Sequence, residues 1–131
     1  MVQPGRDLVA RRKGVATPRR GEVYLVSFDP TVGAEIKKTR PALIIQNDLA
    51  NRWSPVTIVA AITSRPDTPV YPADVPVDPP EGNLSVPSVV LLNQIGTIDR
   101  RRLVKRLGRL RPDTMKQVNR ALQVSLGLVG L

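Results

Sequence analysis

The chain contains the segment Lys37-Lys38-Thr39-Arg40-Pro41-Ala42-Leu43-Ile44-Ile45-Gln46-Asn47-Asp48, in which basic residues lead into a short apolar run. The run from Ala42 to Gln46 is apolar on both faces, which a strand tolerates only when both sides are covered. We therefore expect a central strand there. A second apolar run, from Val56 to Ile62, predicts another strand, so the sequence sets a cation, Arg40, and a hydroxyl, Thr63, at the ends of two strands.

Four other segments predict further strands around this pair. They are rich in strand-forming residues and are bounded by residues that favour turns. Six prolines between Pro66 and Pro80 exclude a helix in that region and restrict any strand to a sheet edge. The predicted strands are Glu22 to Phe28, an edge strand near Val70 to Val77, Ser88 to Ile98, and the apolar stretch within Leu103 to Leu110.

Two helical segments are also predicted. Asp48 to Ser54 fits a short turn of helix between the two apolar strands. Near the end of the chain, Pro112 suits a first helical position and Gly127 a helix stop. Between them, apolar residues recur at helical spacing: Met115, Val118, Leu122 and Leu126. The whole pattern predicts a mostly β domain, a strongly bent antiparallel sheet or open barrel closed by one C-terminal helix.

Composition and charge narrow the classes of function. With 20 Lys+Arg against 11 Asp+Glu, the net charge of +9 favours a polyanion such as nucleic acid, an anionic membrane or an acidic protein tail. The chain has no Cys and no His, so disulfides and the usual zinc sites cannot be built, and no metal or other cofactor is expected. Residues 1–19 are basic and interrupted by Gly and Pro, which predicts a flexible arm before a domain at 20–131. No segment has the length of a membrane span or the pattern of a secretory signal, so the expected location is the cytoplasm.

A set of short motifs, in order and at the right spacing from about Arg20 to Leu128, resembles the MazF/PemK family of toxin endoribonucleases. The motifs are Arg20-Gly21-Glu22-Val23-Tyr24, Asp29-Pro30, Gly33-Ala34-Glu35, Lys38-Thr39-Arg40-Pro41-Ala42-Leu43-Ile44-Ile45, Asn47-Asp48, Ile62-Thr63-Ser64, Ser88-Val89-Val90-Leu91-Leu92-Asn93-Gln94-Ile95 and Ser125-Leu126-Gly127-Leu128.

This resemblance implies both a fold and an activity. The fold is the small SH3-like barrel shared by the MazF, CcdB and Kid toxins. The activity is that of an mRNA interferase, which cuts single-stranded RNA at short sequences without a metal. The ribose 2′-OH attacks the adjacent phosphate and leaves a 2′,3′-cyclic phosphate and a 5′-OH. The resemblance further implies a homodimer that is inhibited by a cognate MazE-like antitoxin, whose disordered tail fills the RNA groove.

The family's catalytic arginine and threonine fall on Arg40 and Thr63. A guanidinium stays protonated, so Arg40 suits stabilising the charge that builds on the phosphorus better than it suits accepting a proton. Thr63 is suited to bonding a phosphate oxygen or relaying a proton, although its hydroxyl is far from a neutral pKa. Without the resemblance, each residue has a more ordinary interpretation. Arg40 would be a solvated or salt-bridged surface residue, and Thr63 would be present for its strand propensity.

No imidazole is available as a general base, and Glu35 is the best carboxylate candidate. It matches an acidic position of some relatives, and burial beneath bound RNA would raise the pKa of its carboxyl towards neutrality. A loop ion pair between Glu35 and Lys37 or Lys38 is an equally good interpretation of the same residue.

Base recognition is expected from the loop of residues 29–39 and from polar strand ends, because side-chain amides and hydroxyls read the edges of unpaired bases. Phe28, Trp53 or Tyr24 offers a stacking surface. For Trp53 a place in the core or at a dimer interface is the alternative. The expected RNA-binding residues are Lys37, Lys38, Thr39, Gln46, Asn47, Ser64, Asn93 and Gln94.

The sequence departs from some relatives of the family. Asn93 and Leu91 stand where some members place an aspartate and an arginine, and the first loop has no histidine. A mechanism built on those groups cannot operate here, which leaves Arg40 and Thr63. Two other functions stay open at this stage. One is a toxin of the same fold that poisons DNA gyrase, and the other is a nucleic-acid-binding barrel that does not cut.

Overall fold

The computed structural model describes residues 17–28, 39–65 and 70–130. Its helices are α1, Asp48–Trp53, and α2, Pro112–Ser125, and short 3₁₀ turns span Glu81–Asn83 and Arg100–Arg102. Six strands form one antiparallel sheet in the order β4-β5-β3-β2-β1-β6. The strands are β1 Glu22–Ser27, β2 Thr39–Ile44, β3 Val56–Ser64, β4 Asp74–Val77, β5 Ser88–Asp99 and β6 Leu103–Arg109.

The strand β2 occupies the centre of the sheet, as its apolar sequence predicts. It pairs with β1 on one side and with β3 on the other. Leu43 packs into a core on one face, whereas Ala42 and Ile44 pack into a second core on the other face. All three side chains are fully buried, so the expectation of a strand covered on both sides is confirmed.

The bounds of β2 differ from the predicted run of Ala42 to Gln46. The strand begins earlier, at Thr39, because β1 pairs with it as far as Ser27 opposite Thr39. It ends at Ile44, before Gln46. Pro41 lies inside the strand, and it has no backbone N–H to donate. The ladder between β2 and β3 begins only at the next residue, Ala42, so the two strands are unpaired beyond that point.

The helix α2 covers the first of the two cores. Val118 and Ala121 are buried there, and Met115 and Leu122 pack against the same cluster. The predicted helix is therefore confirmed, but Leu126 lies beyond its packed part and is 53% exposed. Gly127 adopts a left-handed φ of 74° and its N–H bonds the carbonyl of Val124, which ends the helix as expected.

The sheet curls so that one edge strand, β6, meets the turn that follows the opposite edge strand, β4. The edge strand β6 contacts the turn Glu81–Asn83, which comes shortly after the opposite edge strand β4. A Cβ built on Gly108 of β6 would lie 2.8 Å from the carbonyl carbon of Gly82, so only a glycine at position 108 allows the backbones this close. Among the described strands β4 and β6 do not pair, and the sheet stays open between them.

The second core lies on the opposite face of the sheet. It gathers Tyr24, Val26, Ala42, Ile44, Val59 and Leu103. Burial, reinforced by the nearby charge of Glu22, raises the pKa of the Tyr24 hydroxyl. Glu22 is itself buried, and its carboxylate accepts hydrogen bonds from the side chain of Arg106 and the backbone N–H of Arg19.

The start of the described chain contacts this domain. Pro18 is buried, and the Thr17 hydroxyl accepts a hydrogen bond of 3.4 Å from Arg100. The rest of the predicted arm, residues 1–16, lies outside the described residues, and the division of the chain at residue 19 stays a prediction. Neither helix in the described part of the chain is long and apolar enough to cross a membrane.

The first prediction tests the contact between Gly108 and Gly82. In Gly108→Ala the new methyl group meets backbone atoms that cannot rotate away, so we expect a loss of about 1–3 kcal/mol in the free energy of unfolding, measured by urea denaturation. Gly96→Ala is the matched control, because a Cβ at Gly96 has no atom within 4 Å. Equal stability of the two variants would show that the fold does not depend on this contact.

A second prediction concerns Tyr24 and the stability of the protein at alkaline pH. Because its pKa is higher in the folded state, the unfolded chain loses the phenolic proton first as the pH rises. The free energy of unfolding should therefore fall above about pH 10 and continue to fall until the folded pKa is passed. In Tyr24→Phe this part of the fall should disappear, whereas Tyr71→Phe, which changes a 64% exposed side chain, should keep it. Equal losses in the two variants would contradict the assignment.

Candidate active site

An open cavity of about 460 Å³ lies where β2 and β3 come apart. One wall is formed by the ends of these strands, with contributions from β1 and β6, and the opposite wall by the segment between the turn Glu81–Asn83 and β5. The lining residues are Leu25, Thr39, Arg40, Pro41, Ile62, Thr63, Ser64, Asn83, Leu84, Ser85, Val86, Ser88 and Leu107.

The strand register explains why Arg40 and Thr63 come together. The last pair of the ladder between β2 and β3 is Ala42 with Ala61. When the same register is continued by two residues, Arg40 falls opposite Thr63, beyond the end of the ladder. Both residues line the cavity. Since facing positions on neighbouring strands are only about 4.5–5.5 Å apart while strands remain paired, the end of the ladder makes room for a ligand between them.

The guanidinium of Arg40 is available to a ligand. Its side chain is exposed, and among the described residues it forms no ion pair and no side-chain hydrogen bond. Its backbone is held in β2 opposite Val26 of β1. A permanently charged fork of donors on a rigid strand is well suited to binding a phosphate.

Two hydroxyl groups stand at the end of β3 beside Arg40. Thr63 pairs with Val89 and Ser64 with Ser88 of β5, which fixes their backbones. Both side chains are exposed, and within the described ranges neither hydroxyl has a hydrogen-bond partner. The ends of β2 and β3 therefore present one cation and two free hydroxyl groups to the cavity, and these are donors that a phosphodiester accepts from.

The sequence also predicted roles for the loop before β2. Thr39 lines the cavity at the start of that strand. Glu35, Lys37 and Lys38 lie outside the described residues.

Gln46 and Asn47 have a different place and a structural role. They follow the end of β2 that is far from Arg40. In an extended chain, Gln46 would be up to roughly 20 Å from Arg40. The Gln46 amide is buried and donates to Asn51 Oδ1 at 2.9 Å and to the carbonyl of Val56 at 3.1 Å. The Asn47 side chain caps α1 by accepting from the Ala50 N–H at 2.8 Å. Their polar groups thus hold α1 in place, and neither residue lines the cavity.

Asn93 and Gln94 are exposed on β5 but also lie outside the cavity lining. The register between β3 and β5 slips there, because Ala60 pairs with Ile95 and Ala61 with Leu91. The extra residues on β5 make a bulge. The aromatic residues considered for stacking are elsewhere as well: Tyr24 is buried, and the Trp53 ring lies under Arg52 at 5.0 Å.

Sequence reasoning missed the wall that faces Arg40 and Thr63. Asn83, Ser85 and Val86 line the cavity from the other side. The signal was present, because Pro79-Pro80 followed by Gly82-Asn83 is a pattern typical of turns. The prolines exclude a helix and restrict a strand to a sheet edge, but nothing in the sequence indicates that this turn meets the ends of β2 and β3.

This arrangement defines a class of protein: a curled antiparallel β domain with an open cavity, lined by an arginine and hydroxyl groups, at the ends of two central strands. Residues 19–126 match the family of PemK-like, MazF-like toxins of type II toxin–antitoxin systems. The chain belongs to this family, which confirms the resemblance found in its motifs.

Individual relatives agree with this assignment. The chain is 46% identical over 110 residues to the endoribonuclease MazF of Staphylococcus saprophyticus, an alignment that covers 84% of this chain and 92% of the relative. Among solved structures, an endoribonuclease from a mycobacterial species matches with a TM-score of 0.71 at 26% identity, covering 89% of this chain and 98% of the other. A mycobacterial endoribonuclease in complex with its cognate antitoxin matches with a TM-score of 0.69 at 28% identity, covering 87% and 99%.

Proposed function

We propose that this chain is the toxin of a type II toxin–antitoxin system and that it cleaves single-stranded RNA at the cavity containing Arg40 and Thr63. The single observation that carries the proposal is that these two residues line one open cavity in a chain that belongs to the MazF-like toxin family. The 46% identity to an endoribonuclease supports the same conclusion.

The reaction needs no group from outside the RNA and the protein. The ribose 2′-oxygen forms a bond to the adjacent phosphorus while the bond from phosphorus to the 5′-oxygen breaks. The 2′-OH loses its proton and the departing 5′-oxygen gains one, so the products are a 2′,3′-cyclic phosphate and a 5′-OH. Negative charge builds on the phosphoryl oxygens during the attack, and a fixed guanidinium aimed at that charge lowers the barrier.

The polar groups at the ends of β2 and β3 each have a place in this scheme. Arg40 binds the phosphoryl oxygens and stabilises their charge in the transition state. Thr63 and Ser64 donate to the same phosphate and hold it in position. Thr39 contacts the neighbouring backbone of the RNA. Lys37 and Lys38, which precede this strand in the sequence, add positive charge for the approaching polyanion.

Glu35 is the proposed general base. A carboxylate beneath bound RNA has its pKa raised by the lost contact with water, which brings it closer to the value that efficient proton transfer requires. It lies five residues before Arg40 in the sequence.

We further infer that this chain has the SH3-like barrel of its family and that it assembles with a second copy and with an antitoxin. The barrel interpretation is supported by the curl that brings β6 against the turn after β4. The functional unit is a homodimer in the cytoplasm with a MazE-like antitoxin as its inhibitor. The mycobacterial relative solved with its cognate antitoxin supports that partner. Asn93 and Gln94, exposed on β5, are proposed to contact RNA outside the cavity, whereas Gln46 and Asn47 are left out because they bond within the protein.

The test of this function is the loss of cutting in Arg40→Ala. The parental chain is incubated with a long single-stranded RNA in excess EDTA, and new 5′ ends are mapped by sequencing. We expect discrete cuts that carry a 5′-OH, and in the variant a rate about 10²–10³-fold lower, since one donor to the transition-state charge is gone. Arg120→Ala, which removes another exposed arginine, on α2 and outside the cavity, is the matched control and should cut at the parental rate. Intact RNA with the folded parental chain would overturn the proposal and favour a gyrase poison or passive RNA binding.

The role of Glu35 makes a separate prediction. Glu35→Gln keeps the size of the side chain but cannot accept the proton, so the rate should fall by about 10²–10⁴-fold. The acidic limb of the pH–rate profile should flatten at the same time. Asp113→Asn, an equivalent change on the exposed first turn of α2, serves as the control. A variant that cuts at the parental rate with an unchanged pH profile would remove Glu35 from the mechanism.

A further inference from the structure

The cavity wall opposite Arg40 and Thr63 has the properties of a base-reading surface. We propose that the segment Asn83–Val86, here called the reading wall, recognises the base next to the scissile phosphate. The Asn83 side-chain amide bonds the edge of that base and Val86 packs against its face. This inference rests on the proposed ribonuclease function and assigns it a further determinant of specificity.

The position of the reading wall follows from the cavity itself. Its residues belong to neither β2 nor β3, and Asn83, Leu84, Ser85 and Val86 line the same cavity as Arg40 and Thr63. A nucleotide whose phosphate is bound at the strand ends therefore has its base within the same cavity, where this wall is the facing surface.

The first end of the reading wall is anchored in the protein core. Gly82, directly before it, is buried, and a Cβ there would lie 3.1 Å from side-chain atoms of Val23 and Leu110. The N–H of Asn83 bonds the carbonyl of Pro80 at 2.9 Å. Leu84 is only 7% exposed and belongs to the first core. Asn83 is thus held between two fixed residues.

The second end is anchored just as firmly. Ser88 is only 3% exposed, and its hydroxyl donates to the carbonyl of Val86 at 2.9 Å. The carbonyl of Pro87 accepts from the N–H of Arg65, beyond the end of β3, at 2.9 Å. The wall is consequently tied to the strand that carries Thr63. A preorganised surface of this kind loses little conformational entropy when it binds.

The exposed chemistry of the reading wall suits a base better than a phosphate. Residues 83–88 include no charged side chain, so they offer no counterion to the RNA backbone. Asn83 and Ser85 are exposed, and in the described part of the structure their side chains bond no other residue. An amide both donates and accepts, which matches the adjacent donor and acceptor on a base edge. Val86, 47% exposed, adds an apolar surface for the ring.

The experiment uses two substitutions that keep the backbone of Asn83 unstrained. Its φ is 56°, a left-handed value that Gly adopts freely and that Asp tolerates. Asn83→Gly removes the amide, and Asn83→Asp replaces its donor with an acceptor while keeping its shape. Each variant is incubated with a pool of RNAs of random sequence, and the cut sites are sequenced to give the base preference at every position around the cut.

We expect Asn83→Gly to lower the preference at one position next to the cut roughly tenfold, while the other positions keep theirs. Asn83→Asp should change the preferred base at that same position. For the best RNA, kcat/KM should fall in Asn83→Gly, whereas cutting of the random pool as a whole should continue. Gln117→Ala, which removes an exposed amide of α2 outside the cavity, is the matched control and should leave the cut sites unchanged.

The outcomes separate this inference from the function on which it rests. A parental chain that cuts, with variants that keep the parental preference at every position, overturns the reading wall alone. A uniform loss of rate in both variants without a change of preference also overturns it, since that result indicates a structural role. A parental chain that leaves all RNA intact overturns the proposed function and this inference with it.

Discussion

The rest of the structure depends on the close approach of two backbones, at Gly108 of β6 and Gly82 of the turn after β4. Without this contact, the edge strand β6 and the turn would both be uncovered. Gly108 lets β6 meet the turn at a separation that a side chain at this position would prevent. The first core is then enclosed by the sheet and α2, and the turn that follows Gly82 is brought opposite the ends of β2 and β3.

The cavity is a consequence of that contact and of one proline. Pro41 stands where the ladder between β2 and β3 stops, and the strands are unpaired from there to Arg40 and Thr63. The curl places Asn83 to Val86 across the gap. Neither feature alone makes a site, because the open strand ends without a facing wall would be a flat edge, and the turn without them would be an ordinary surface loop. The groups to which we assign catalysis and recognition thus come from different elements that meet at one cavity.

Much of the fold follows from the sequence, and the reason is local. Three elements are determined by their own residues. The apolar run that begins at Ala42 predicts the central strand, the prolines near β4 predict an edge strand, and the helical spacing after Pro112 predicts α2. Arg40 and Thr63 were also predictable, because the motifs around them resemble a known family. The place of Asn83 in the same cavity was not, since it depends on a contact between residues far apart in the chain. The burial of Gln46 was not foreseen for a related reason: it depends on hydrogen bonds from its amide to Asn51 and Val56.

The distribution of charge also differs from what the composition suggests. Residues 100–111 hold seven basic residues and no acidic one, yet most of them have partners within the protein. Arg101 pairs with Asp99, Arg106 with Glu22 and Arg111 with Glu81. Arg100 is buried and donates to the carbonyls of Asn51 and Ser54. Much of the dense basic run therefore stabilises the fold.

The cavity, in contrast, has Arg40 as its charged lining residue in the described part of the chain, beside a neutral facing wall. A single well-placed guanidinium is sufficient for transition-state stabilisation, because that effect depends on position in a partly enclosed site and not on total charge. A second strong cation on the facing wall would attract the phosphates of the RNA to the wrong side and hold them irrespective of sequence. Because residues 83–88 are uncharged, they offer the RNA backbone no competing site, and under the proposed function the scarcity of charge in the cavity favours selectivity over tight binding.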